Sequence, residues 1–336
     1  MQVFYPEYYK EFRCIASACP DSCCKEWEVD VDADAAALYR SLPGDLGDRL
    51  RQVLRTEDGC TLMTITEGRC PMWRDDGLCR IQAELGHDAL CQTCRDFPRL
   101  RHDYGDFVEL GLELSCPEAA RLIFTSPARS VICETAPGGD AGEYDSEVMA
   151  ILRRSREEIL AFLKGGDYPL GQSLAILLLF AHGVQGEIDG GEPVRLHPAD
   201  CLEDARKYAQ SGDIGAIFDF FSGLEILTLR WKSRLVGGPT NFTWDDTLRP
   251  LAEYLIQRYW LQAVSDLELI CRAKFIIAAC LLVNAIGGDP TDTAQLFSKE
   301  IENNPDNIEA ILDGAYTSPA FTDVSLLGLL LNPREN

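Results

Sequence analysis

CIASACPDSCCKEWEVDVD, residues 14–32, places four cysteines within eleven positions, as Cys14-x4-Cys19-x3-Cys23-Cys24. Further on, CPMWRDDGLCRIQAELGHDALCQTCRDFPR (70–99) adds Cys70-x8-Cys79 and Cys91-x2-Cys94, and LSCPEAARLIF (114–124) adds Cys116. With Cys60, ten of the fourteen cysteines precede residue 120, while Cys133, Cys201, Cys271 and Cys280 are scattered through the rest. Soft thiolates clustered in this way suit a tetrahedral zinc ion or a [4Fe–4S] cluster, each of which takes four. Neighbouring side chains in extended backbone point to opposite faces, so Cys23 and Cys24 serve two roles more easily than one ion. Two CxxC knuckles would mark a zinc ribbon, and here Cys91-x2-Cys94 alone has that spacing. Spacing therefore leaves iron and zinc both open. Cys271 and Cys280 lie in apolar helical sequence, where cysteine acts as a small hydrophobe.

Working outward, a Gly/Pro/Asp-rich stretch at 136–142 separates a cysteine-rich metal-binding region, 1–135, from a helical domain, 143–336. In the first region Asp32 can cap a helix through 35–39, and residues 45–55 repeat Leu46, Leu50, Val53 and Leu54 at helical spacing. Residues 61–66 alternate as a strand. The remainder reads as irregular and poor in sheet. It has few long apolar runs from which to build a core, so its fold is expected to lean on a metal. After 143 the pattern is helical. Val148, Ile151, Leu152, Ile159, Phe162 and Leu163 form one stripe ended by Gly165-Gly166. Helical patterns recur over 170–183, 199–235, 244–262 and 267–286, and Pro290, Pro305 and Pro319 punctuate three short final helices. The expected fold class is mainly α, a cysteine-rich irregular region followed by an all-helical one.

Hydrophobic residues at 46% and charged residues at 25% are values of a globular chain. Thirty-one basic against 54 acidic side chains leave a net charge of −23. Such a field repels phosphate backbones and anionic headgroups, arguing against nucleic acid and membrane as partners, and it draws in lysine-bearing proteins. Residues 1–12 lack the apolar core of a signal peptide. The apolar runs at 174–181 and 275–283 fall short of the roughly 18 residues that span a bilayer. A cytoplasmic location follows as the expectation, where reduced thiols bind metal rather than pair.

The three cysteine strings together resemble the flagellin lysine-N-methylase family, within a wider group of zinc- or iron-chelating proteins with a CxxCxxCC-type motif. The group pattern corresponds to Cys14, Cys19, Cys23, Cys24, Cys70, Cys79, Cys94 and Cys116. Cys91, Trp27 and Ser115-Cys116-Pro117-Glu118 look like the methylase branch. The resemblance implies transfer of a methyl group from S-adenosylmethionine to lysine on flagellin or a similar protein, by an enzyme with a [4Fe–4S] cluster on four of these nine cysteines. The gaps around Cys19 are wider than in the CxxCxxCC form, which leaves the ligand set open.

Methyl transfer to an amine needs alignment more than chemistry from the protein. The glycine pairs at 165–166, 190–191 and 287–288 follow helical sequence or lie in polar loops, so no strand–GxG turn offers the usual cofactor cradle. Arg95 and Arg99 are candidates to orient a cofactor carboxylate, or to neutralise thiolate charge. Glu118 is a candidate general base, or a first-turn acid favoured by the helix dipole. Trp27, Trp73, Phe97 and Tyr104 could cage a lysine head or wall a cluster from water. The four histidines match no ligand spacing. A non-catalytic zinc- or iron-chelating carrier or cluster-bearing module is the alternative. A Cys91–Cys94 redox dithiol is weaker, lacking the βαβ context of such motifs.

Overall fold

The computed structural model describes residues 1–126 and 130–332. The helical stripes of the second half become α6 (Ser146–Gly165), α7 (Leu170–Ile188), α8 (Pro198–Tyr208), α9 (Ile214–Ser222), α10 (Leu229–Val236), α11 (Arg249–Tyr259), α12 (Leu269–Ile286), α13 (Pro290–Phe297), α14 (Pro305–Thr317) and α15 (Asp323–Leu331). They follow β1 (Gln2–Pro6), β2 (Val29–Asp30), α1 (Ala33–Ser41), α2 (Gly44–Val53), β3 (Leu54–Glu57), β4 (Cys60–Met63), α3 (Arg80–Leu85), α4 (Gln92–Asp96), β5 (Arg99–Asp103), β6 (Phe107–Leu112), α5 (Pro117–Thr125) and β7 (Val131–Thr135). The protein is mainly α.

Local chemistry accounts for most boundaries. The Asp145 carboxylate accepts from the N–H groups of Glu147 and Val148 to start α6, and Gly166, at φ 70°, ends it in the left-handed region that glycine adopts without strain. Pro290 and Pro305 occupy first-turn positions, where a missing N–H costs nothing. The stretch 199–235 breaks into α8, α9 and α10. Asp213 and Thr228 cap the second and third of these, each accepting a backbone N–H.

The α12 helix is long and apolar enough to cross a membrane, yet 94% of it is buried inside the protein. It is the central rod of the core. Its two charges are paired there, Arg272 with Asp266 at 2.8 Å and Lys274 with Asp323 at 3.0 Å.

The first region corrects the expectation of an irregular, sheet-poor segment. Four strands form a sheet in the order β5-β6-β1-β7, with β1 parallel to β6 (Val3 opposite Val108) and antiparallel to β7. A smaller antiparallel sheet runs β2-β4-β3. The segment also has an apolar core of its own, in which Val29, Val31, Ala36, Tyr39, Leu50, Val53, Met63, Met72 and Ile81 are buried together. The larger core joins both halves of the chain. Phe107 and Leu112 of β6, and Ala119, Ala120, Leu122 and Ile123 of α5, pack with Leu152, Ile159, Leu174, Leu251 and Phe275. Strand pairing between distant segments is what the local pattern did not carry.

One buried ion pair fastens sheet to helices. Arg156 of α6 reaches Glu109 of β6 through both guanidinium nitrogens, one at 2.8 Å, and the carbonyl of Gln257 at 3.2 Å. The two side chains are 9% and 10% exposed, so removing one strands the other charge in a dry site. Arg156→Met should lower unfolding free energy by about 3–5 kcal/mol in urea titration, and a change under 1 kcal/mol would contradict this role.

Candidate functional site

Three cysteines stand at helix starts. Cys79 precedes α3, Cys91 precedes α4 and Cys116 precedes α5. Free N–H groups at these ends favour thiolate. Burial opposes them and pushes Cys116 up to about 11, against the N–H groups of Ala119 and Glu118. Asp32 sets the position of α4. It caps α1 through the Ala35 N–H at 3.0 Å and takes the Gln92 N–H at 2.7 Å, while the Thr93 hydroxyl donates to the Asp30 carbonyl at 3.0 Å. Cys94 is thereby held beside β2. The loop carrying Cys23 and Cys24 runs against residues 68–70, with the Glu26 N–H bonded to the Gly68 carbonyl and the Cys70 N–H to the Cys24 carbonyl.

These elements bring all nine predicted cysteines into one neighbourhood. Cys14, Cys19, Cys23, Cys24, Cys79, Cys94 and Cys116 line a cavity of about 550 Å3. Cys70 and Cys91 are buried in the smaller core behind it. The Cys24 sulfur accepts from the Cys23 and Cys70 thiols, which holds Cys24 well below the ordinary thiol range and raises both donors. Cys91 is likewise lowered by a hydrogen bond from Cys94, whose own thiol is pushed up. Cys24 and Cys91 are thus the thiolate members of these pairs, and thiolates are soft metal donors. Among the described residues, however, no three Cys, His, Asp or Glu side chains stand as a ready-made metal-holding group. The donor chemistry fits an iron–sulfur or zinc group, and the side chains as they stand do not close around one.

Arg95, Arg99 and Glu118 share the cavity wall. Arg99 stacks over the Phe12 ring at 5.1 Å. Glu118 grips Arg121 through 2.9 and 2.7 Å hydrogen bonds, which hold its carboxyl below the ordinary range and make it a poor proton acceptor. Of the four aromatic candidates, Trp27 and Phe97 meet, with centroids 6.2 Å apart. Trp73 stands apart under Lys25 and Arg69, and Tyr104 stacks on Phe107.

Sequence reasoning missed Lys299, whose side chain is 2% exposed and whose ammonium pairs with Asp21 at 2.9 Å and Glu26 at 2.6 Å. It missed Glu113 as well, a carboxylate that accepts from the Ser115 hydroxyl at 3.2 Å and that burial pushes up. Neither lies in a motif. Folding alone brings residue 299 to the cysteine loop.

A mainly helical body with a thiol-lined cavity against its flank defines a cysteine-rich class of helical protein. The comparisons narrow it. The chain is 35% identical over 130 residues to the flagellar biosynthetic protein FliU of Salmonella muenchen, covering 36% of this chain and 76% of that one. It is 32% identical over 136 residues to proteins named lysine-N-methylase from Salmonella typhimurium and Salmonella choleraesuis, covering 38% of this chain and 34% of each. The chain belongs to the flagellin lysine-N-methylase family. The matched part spans about a third of the length of the two lysine-N-methylases. No family model matches, and no solved structure does.

Chelator-treated protein given limiting iodoacetamide at pH 7 should be alkylated within 14–24 and 91–94 well before Cys280, which burial keeps neutral in the core. Equal labelling rates by mass spectrometry would contradict the arrangement.

Proposed function

We propose that this protein transfers a methyl group from S-adenosylmethionine to a lysine side chain of flagellin or a similar lysine-bearing protein. The observation that carries the reading is the 35% identity over three quarters of FliU together with the 32% identity to the lysine-N-methylases. Support from the fold is the thiol cavity of about 550 Å3, a volume usual for small-molecule sites, with Arg95 and Arg99 on its wall to meet a carboxylate. No glycine-rich turn follows β1, which runs directly into a 3-10 turn at Glu7–Glu11, so a donor would be held without a Rossmann-type cradle.

A [4Fe–4S] cluster, with zinc as the alternative, belongs to the same proposal. Its donors would be four of Cys14, Cys19, Cys23, Cys24, Cys79, Cys94 and Cys116, with Cys70 and Cys91 behind them. Bound there, such a group would tie the cysteine loops together and offer a site for the amino-acid end of the methyl donor. The chain's own residues do the rest. Arg95 and Arg99 would orient the donor, and Trp27 with Phe97 would exclude water where the two reactants meet.

Flagellin co-expressed with this protein should carry 14-dalton increments on lysine, absent from flagellin expressed alone. Unmodified flagellin, despite available donor and intact metal, would leave a non-catalytic chelating carrier as the better reading. Anaerobically purified protein should hold about four irons per chain. Cys94→Ser should lose them, because serine oxygen is a poor ligand for a soft metal. Cys280→Ser, 0% exposed in α12, should keep them at some cost in stability. Iron retained by Cys94→Ser would remove Cys94 from the ligand set, and stoichiometric zinc in a colourless protein would replace iron with zinc.

A further inference from the structure

A second cavity, of about 640 Å3, adjoins the thiol cavity, and the two share Cys23, Trp27, Cys94 and Phe97 as lining. Its balance of charge is different. The thiol cavity balances Arg13, Arg95 and Arg99 against Asp21, Asp96 and Glu118, whereas Glu28, Glu113, Glu225 and Glu300 line its neighbour.

None of these four carboxylates is in a salt bridge among the described residues. Glu225 takes the Asn304 side-chain amide at 2.9 Å, Glu300 takes the N–H groups of Leu227 and Thr228 at 2.7 and 2.9 Å, and Glu113 takes a hydroxyl. All are neutral donors. The two other charges on the lining are already satisfied, Glu302 by Arg258 at 3.1 Å and Lys299 by Asp21 and Glu26. Glu28 and Glu225 stand exposed at the mouth and Glu113 and Glu300 further in, so a cationic side chain entering between them meets four carboxylates that no salt bridge has taken.

The shared wall points to which cation. The Trp27 ring already carries one ammonium, that of Lys299, at 5.0 Å from its centroid, and the Phe97 ring extends the same wall. An aromatic face beside carboxylates is the usual recognition chemistry for an alkylammonium. Leu227, 39% exposed, also lines the cavity and gives it an apolar edge for the methylenes of a lysine.

We propose that this acidic cavity receives the side chain of the acceptor lysine while the thiol cavity holds the methyl donor, the two meeting at Trp27 and Phe97. The proposal rests on the lysine-methylase reading and gives that activity its acceptor site. In the reaction, the bound ammonium first loses one proton to water. Its nitrogen lone pair then forms the new N–CH3 bond, and the S–CH3 bond breaks with its electron pair returning to sulfur. The products are a methylammonium and S-adenosylhomocysteine. The carboxylates of one chamber face the ammonium of the acceptor, and the arginines on the wall of the other are placed to meet the carboxylate of the donor.

The test is binding of a short lysine peptide, and of the same peptide with norleucine in place of lysine, by calorimetry with no methyl donor present. The wild-type protein should bind the lysine peptide and fail to bind the norleucine peptide. The double variant Glu28→Gln/Glu225→Gln, altered at two exposed side chains, should bind the lysine peptide about fivefold more weakly. It should bind S-adenosylhomocysteine as the wild type does. In turnover, KM for the peptide should rise with kcat nearly unchanged. If the double variant fails to fold, Glu225→Gln alone should shift binding in the same direction. Equal affinity for the two peptides, or for wild type and variant, would overturn the acceptor site, as would parallel loss of S-adenosylhomocysteine binding. Because the peptide is read without donor, lysine binding without methyl transfer would instead count against the methylase reading alone.

Discussion

A single ammonium ties the cysteine loop to the helical body of this protein. Lys299 lies in the π-helical turn Ser298–Glu302 that continues α13, almost wholly removed from water. An amine in so dry a place needs opposite charge and full hydrogen bonding. It finds both in the cysteine loop. Asp21 sits between Cys19 and Cys23, and Glu26 follows Cys24 at φ 76°, a left-handed conformation that a glutamate adopts only when its surroundings hold it there. One helix turn earlier, the Gln295 amide donates to the Ser115 carbonyl at 2.6 Å, next to Cys116. The end of α13 therefore holds two cysteine-bearing segments, the loop of Cys19–Cys24 and the turn before Cys116.

Much of this architecture is written locally. Asp32 followed by helix-forming residues gives α1, the leucine spacing gives α2, and the apolar stripe ending in two glycines gives α6. The prolines at 290 and 305 mark two of the last helices because proline tolerates the first turn and little else. The four-stranded sheet was hidden because β1 finds its partners in β6 and β7, more than a hundred residues on, and no local period encodes such a choice. Residues 61–66 show the same limit. The alternation marked a strand, and the edges moved to Cys60–Met63 when β2 and β3 set the register.

The site was legible in one half. Cysteines announce themselves by rarity and clustering, and all nine come together. Glu28, Glu113, Glu225 and Glu300 could not announce themselves, since glutamate is common and each comes from a different part of the chain. Trp27 and Phe97 were visible as aromatic candidates, yet only the fold separates them from Trp73 and Tyr104, which serve other contacts. A thiol-lined chamber set against a carboxylate-rich one is a property of packing.

If Lys299 builds the site by holding the cysteine loop to the helical body, the most direct measurement is amide hydrogen exchange on anaerobically prepared Lys299→Met beside the wild type. Norleucine-like methionine keeps the volume and removes the charge. The account predicts that amides from Cys19 to Val29 lose protection while those of α6, α7 and α12 keep theirs, since only the clamp has been cut. Unchanged protection across that loop, or uniform loss through the whole protein, would contradict it.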